Sequence, residues 1–100
     1  GRMKPIPELP AVRRDLALLA PTAVAHRDIL KILTTEGKQL LEDCYLFDVY
    51  QGKGIPENCR SLAFALSFRD PKKTLTDEEI QPMISRMVSR LDSELAVKLR

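Results

Sequence analysis

The sequence contains no tryptophan, a single histidine, two cysteines and only five aromatic residues in 100. Each scarcity excludes a class of chemistry. His26 stands alone at the start of a predicted helix among polar residues. It has no partner to form a metal site or to activate a nucleophile, so it reads as a solvated side chain. Cys44 and Cys59 show neither CxxC nor metal-ligand spacing, and read as reduced packing thiols of a cytoplasmic protein rather than as a disulfide. No apolar run approaches the roughly 18 residues of a membrane span. The first ten residues carry Pro5, Pro7 and Pro10 where a signal peptide needs an apolar block. Neither sign of charge dominates. Sixteen Lys and Arg against 14 Asp and Glu leave a net charge of +2, too mild to grip nucleic acid by charge alone. HExxH, GxSxG and paired-carboxylate patterns are all missing. The stretch QGKGIPENC, 51–59, has two glycines but joins two predicted strands and precedes no helix, so it is not a phosphate-cradling loop. These absences point to a domain with no catalytic residues, no metal and no cofactor of its own.

What is present is ordinary globular material. Hydrophobic residues make up 44% and charged residues 30%, enough for one domain with one shared core. The prolines near the start predict an extended lead-in over residues 1–12, a linker from a preceding domain, with the domain proper at 13–100. Period-two alternation predicts a strand over Arg13 to Ala20. Apolar residues at three-to-four spacing predict a helix over Val24 to Glu36, closed by Gly37 as a positive-φ cap. A long strand is predicted over Leu40 to Gln51, rich in aromatic and β-branched residues, and another over Ser61 to Arg69. Thr76 with Glu79 three residues on predicts a capping box and a second helix. Pro82 inside that helix predicts a kink or local irregularity. A last strand is predicted near Leu95 to Arg100. The order is strand, helix, strand, strand, helix, strand. That order predicts an α+β ferredoxin-like sandwich, a four-stranded antiparallel sheet with both helices on one face.

Alternation then divides the sheet. Burying large apolar side chains is the main stabilising contribution, about 1.5–3 kcal/mol each. Leu16, Leu18, Phe47, Val49, Leu62, Phe64, Leu66, Phe68, Val97 and Leu99 are therefore expected under the helices. The other face is expected to carry Asp15, Ala17, Leu46, Asp48, Tyr50, Ala63, Ala65, Ser67, Arg69, Ala96 and Lys98. Such a face suits RNA: small residues leave the backbone accessible, Tyr50 can stack on a base, and Asp15 and Asp48 can accept from base amino or imino groups. Arg69 and Lys98 can meet phosphates. The same pattern also suits a solvated sheet used in protein interaction or regulation. Ferredoxin-like sandwiches that sense small molecules are a third class, and these pair as dimers.

Four blocks narrow the choice. PAVRRDLALL (Pro10 to Leu19), LFDVYxGxGIP, SLAFxLxFRDP and TLTDEE occur in order and cover nearly the whole chain. Together they resemble the ferredoxin-fold anticodon-binding domain that ends the beta chain of bacterial phenylalanyl-tRNA synthetase. Asn58, Cys59 and Arg60 depart from the glycine and lysines more usual there, and Pro82 is unusual at its position. The resemblance implies a domain that meets the tRNA(Phe) anticodon stem-loop. It implies a parent enzyme of two alpha and two beta chains that uses ATP and magnesium at a site in the alpha chain. This domain itself is expected to be monomeric, with no membrane partner. Carried onto this sequence, the RNA-binding residues implied are Arg13, Arg14, Asp15, Ala17, Asp48, Tyr50, Ala63, Ala65, Ser67, Arg69 and Lys98.

Overall fold

A computed structural model describes residues 9–100. Of the expected lead-in, residues 1–8 lie outside the described residues. The elements run β1 (Val12–Pro21), α1 (His26–Gly37), a short 3-10 turn (Lys38–Leu40), β2 (Leu41–Tyr50), β3 (Cys59–Phe68), α2 (Asp77–Leu95) and β4 (Lys98–Leu99). The four strands form one sheet in the order β2-β3-β1-β4, and every neighbouring pair is antiparallel. This is the expected ferredoxin-like α+β fold.

Helix α1 buries Ile29, Ile32 and Leu33. Helix α2 buries Ile80, Met83, Met87 and Leu91, again at three-to-four spacing. These meet Leu16, Leu18, Leu62, Phe64, Leu66 and Phe68 from β1 and β3 in one core. Glu36 of α1 joins the two helices, 3.4 Å from Arg86 and 3.1 Å from Arg90 of α2. The Thr76 capping box forms as expected: its N–H donates to Glu79 Oε1 at 3.0 Å.

Helix α2 continues through Pro82, and two local expectations change. The N–H that proline lacks would have met the carbonyl of Glu78 in the exposed first turn, where water can replace it. Gly37 does not carry a positive φ: its φ is −72°, and the positive value, 53°, falls on Lys38. Glycine is needed at 37 for room, because a Cβ there would lie 2.5 Å from Leu41 Cβ. The last strand shrinks to Lys98–Leu99 because α2 continues to Leu95. The helix stops at Ala96, in the left-handed region with φ 56°. The N–H of Val97 then bonds the Leu91 carbonyl at 3.1 Å, and this fold-back buries Val97 completely.

Candidate nucleic-acid interface

Strand pairing places each side chain on a face, because residues directly opposite in a ladder point the same way. The helix face has rows Val12–Phe68–Leu41, Arg14–Leu66–Cys44, Leu16–Phe64–Leu46 and Leu18–Leu62–Val49 across β1, β3 and β2. The open face has rows Arg13–Ser67–Asp43, Asp15–Ala65–Tyr45, Ala17–Ala63–Asp48 and Leu19–Ser61–Tyr50.

Strands β1 and β3 follow the expected alternation. Strand β2 does not, for it carries irregularities between Leu41 and Asp43 and between Leu46 and Asp48. Each adds one residue to β2 against its partner and resets the alternation. Leu46 therefore turns to the core, against expectation, and packs on it. Phe47 is expelled from the core, 46% exposed, and lies beneath the Arg13 guanidinium, 5.4 Å from its ring centroid. Since Arg13 is on the open face, Phe47 is there too. Val49 stays on the helix side but at the sheet edge, 51% exposed. Leu99, opposite Leu18, is likewise on an uncovered edge strand and is 56% exposed rather than buried.

Of the residues singled out from sequence, Asp15, Ala17, Asp48, Tyr50, Ala63, Ala65 and Ser67 do share the open face, with Arg13 beside them. Arg14 does not. It points to the helix side, opposite Leu66, and its Nη2 donates to Asp77 at the start of α2 at 2.6 Å. An acidic residue in the first helical turn complements the helix dipole as well as this cation. Lys98 is opposite Leu19, but its ammonium turns back to Asp92 of α2 at 2.6 Å. Arg69 follows β3, where its Nε donates to Glu42 at 2.7 Å and its Nη1 to the Leu9 carbonyl. It pairs with Glu42, the extra residue of β2. Ala65 is buried beneath its neighbours, whereas Ala17 is exposed and Ala63 half-buried. The flat floor is thus Ala17 and Ala63.

The two cations of the face are held differently. Arg13 Nε donates to Asp15 Oδ1 at 2.8 Å. That hydrogen bond and the charge of Asp15, with a smaller contribution from nearby Tyr45, push the guanidinium above its ordinary range. Arg100, not anticipated from sequence, continues past β4. Its backbone N–H donates to the Ala17 carbonyl at 2.9 Å and its Nη1 to Ser61 Oγ at 2.8 Å, so it crosses β1 over the open face. Ser61 is buried beneath it. Tyr50 is tied at the other side of the face. Its hydroxyl donates to the Lys53 carbonyl at 2.8 Å, fixing the ring at the mouth of the β2–β3 loop. Asp48 is exposed, and its carboxylate meets no donor among the described residues.

Tyr45 and Phe47 are the residues sequence reasoning missed most. An aromatic-rich strand carries no local mark of a bulge, so strict alternation sends two of its three aromatic residues, Tyr45 and Phe47, to the wrong face. The face also lacks any conventional reactive group. Cys44 points to the core, and burial first, then the charge of Asp43, pushes its thiol up to about 11. Among the described residues no cluster of three His, Cys, Asp or Glu is placed to hold a metal ion. None of their helices is long and apolar enough to cross a membrane. The arrangement offers planar stacking surfaces, a solvent-exposed carboxylate acceptor and two guanidinium donors on a small-residue floor. Such groups are of the kinds that contact unpaired bases and phosphates in RNA-recognition sheets.

The chain matches the ferredoxin-fold anticodon binding domain over residues 7–100. It is 39% identical over 97 residues to the phenylalanine–tRNA ligase beta subunit of Thermotoga maritima, covering 97% of this chain and 12% of that protein. It is 41% identical over 99 residues to that of Clostridium tetani, covering 99% of this chain and 12% of the relative. The beta subunit of Chromobacterium violaceum is 40% identical over 102 residues, covering all of this chain and 13% of that protein. The chain spans about an eighth of the length of these relatives.

Proposed function

The chain belongs to the ferredoxin-fold anticodon binding domain family, and from that premise we propose that it binds the anticodon stem-loop of tRNA(Phe) as part of a phenylalanine–tRNA ligase beta chain. The observation that carries the reading is the open sheet face. Tyr50 is a ring fixed in place by its hydroxyl bond to Lys53, which lowers the entropy lost when a base stacks on it. Asp48, next along the same face and without a donor, accepts from a base amino or imino group. Ala17 and Ala63 let the sugar–phosphate chain approach the sheet, and Asp15 and Ser67 add polar contacts. Arg13 and Arg100 meet phosphates. Arg14 and Lys98 act within the fold instead, through Asp77 and Asp92 of α2.

In this reading the domain identifies tRNA and performs no chemistry. The remainder of the beta chain and an alpha chain complete a cytoplasmic heterotetramer, where phenylalanine is joined to tRNA with ATP and magnesium.

The test is an amide NMR titration at low salt, where phosphate contacts are strongest. The chain is titrated with a GAA anticodon stem-loop and with a copy altered at the first anticodon base. Shifts are expected at Asp15, Asp48, Tyr50 and Ser67, weaker for the altered loop. Shifts confined to exposed lysines and equal for both loops would overturn the reading.

A further inference from the structure

Beyond Tyr50, the open face holds a second aromatic group, whose Phe47 strict alternation sends to the core. Two neighbouring residues of β2, Tyr45 and Phe47, stand 44% and 46% exposed on the face. An irregularity in β2 puts Phe47 there, so that it and Asp48 together oppose the single position Ala63. A guanidinium already lies over the Phe47 ring at 5.4 Å, and Asp15 holds that guanidinium in place. A ring that accepts one flat, delocalised cation on its face accepts a flat nucleobase in the same way.

We propose that Phe47, with Arg13 above it and Tyr45 beside it, is a second stacking position for an unpaired base of the same RNA loop. This rests on the anticodon-binding reading and extends it. Phe47 and Tyr50 are three positions apart on one strand, roughly 10 Å at about 3.3 Å per residue. That span lets two different nucleotides of one loop occupy the two rings, with Asp48 between them. The base inserts between the Phe47 ring and the guanidinium. Arg13 then keeps a planar contact on the outer side of the base, and its remaining N–H groups turn to a phosphate. Asp15 is a positioning residue: it presents the guanidinium over the ring before RNA arrives.

The experiment uses the whole 100-residue chain and a GAA stem-loop carrying 2-aminopurine at one loop position at a time. Stacking quenches the fluorescence of that position. Phe47→Leu keeps apolar bulk and removes the ring, and Tyr50→Leu does the same at the first position. Phe47→Leu is expected to weaken binding roughly 5- to 150-fold and to abolish quenching at one loop position. Tyr50→Leu is expected to abolish it at a different one. Arg13→Gln, which leaves the aromatic residues intact, is expected to relieve quenching at the Phe47 position only. Phe47→Leu binding with unchanged affinity and quenching, while Tyr50→Leu is impaired, would overturn this inference and leave the anticodon reading standing. Absence of binding by the unaltered chain at low salt would overturn both.

Discussion

Replacing Gly37 by alanine separates two reasons for a glycine at the end of α1. On local grounds the change should help, since Gly37 has φ −72° and Gly→Ala at a compatible site stabilises by about 0.4–1 kcal/mol. The tertiary contact opposes it. The new Cβ would lie 2.5 Å from Leu41 Cβ and 2.8 Å from Leu41 Cδ2. A rotamer change relieves the second clash. The first is fixed to the backbone of β2, where Leu41 pairs with Phe68. Overpacking of this kind costs about 1–3 kcal/mol, so the clash wins and we expect a net loss of about 1–2 kcal/mol. For a domain of this size, each kcal/mol corresponds to about 4–8 °C in Tm. The paired control is Lys38→Gly. Lys38 has φ 53° and ψ −139°, a strain of about 1–3 kcal/mol, while glycine adds back only about 0.5–1 kcal/mol of chain entropy. Lys38→Gly should therefore raise stability. Urea unfolding followed by circular dichroism measures both. A Gly37→Ala protein at least as stable as the parent would refute the close-approach argument.

Thr76→Ala should lower stability by about 0.5–2 kcal/mol in the same assay, because it removes the cap of α2. The Glu79 carboxyl is held below its ordinary range, first by its hydrogen bond with Lys73 and then by the Thr76 backbone. A lowered folded-state value means stability that is present above the unfolded value, about 4.3, and is lost as pH falls through the folded one. Glu79→Gln should accordingly flatten the acid limb of a Tm–pH curve below about pH 5, and an unchanged limb would contradict the assignment. Cys44, its thiol pushed up to about 11 chiefly by burial, should resist iodoacetamide at pH 8 and react only when urea unfolds the chain, as peptide mass mapping would show. Arg14→Gln should leave RNA affinity unchanged and cost at most about 1 kcal/mol, since its partner Asp77 is largely exposed. A large loss of RNA affinity in a titration would place Arg14 at the interface after all.

The site was partly legible in advance. Asp15, Ala17, Ala63 and Ser67 were placed correctly because β1 and β3 pair residue for residue from Val12–Phe68 to Pro21–Cys59. Over such a ladder, period two is a reliable guide. Asp48 and Tyr50 were placed correctly beyond an irregularity that local sequence does not announce. Leu46 and Phe47 exchanged faces at that same irregularity. Arg14 was assigned to RNA from its motif, although alternation alone already turned it toward the helices.

From its sequence alone, this protein's element order, ferredoxin-like fold, Thr76 cap and central core were determined. So was its family, because four blocks of residues stand in one order. These features are local or periodic, and each is written in a stretch of neighbouring residues. The tertiary structure alone decided the partners of Arg14, Lys98 and Arg69, the crossing of Arg100 to Ser61, and the appearance of Phe47 on the open face. It also decided that Gly37 is a matter of space and not of φ. Long charged side chains choose among several reachable partners of similar energy, and a bulge is set by how two strands fit over a shared core. Both depend on residues far apart in the chain, which come together only when the sheet and its helices are assembled.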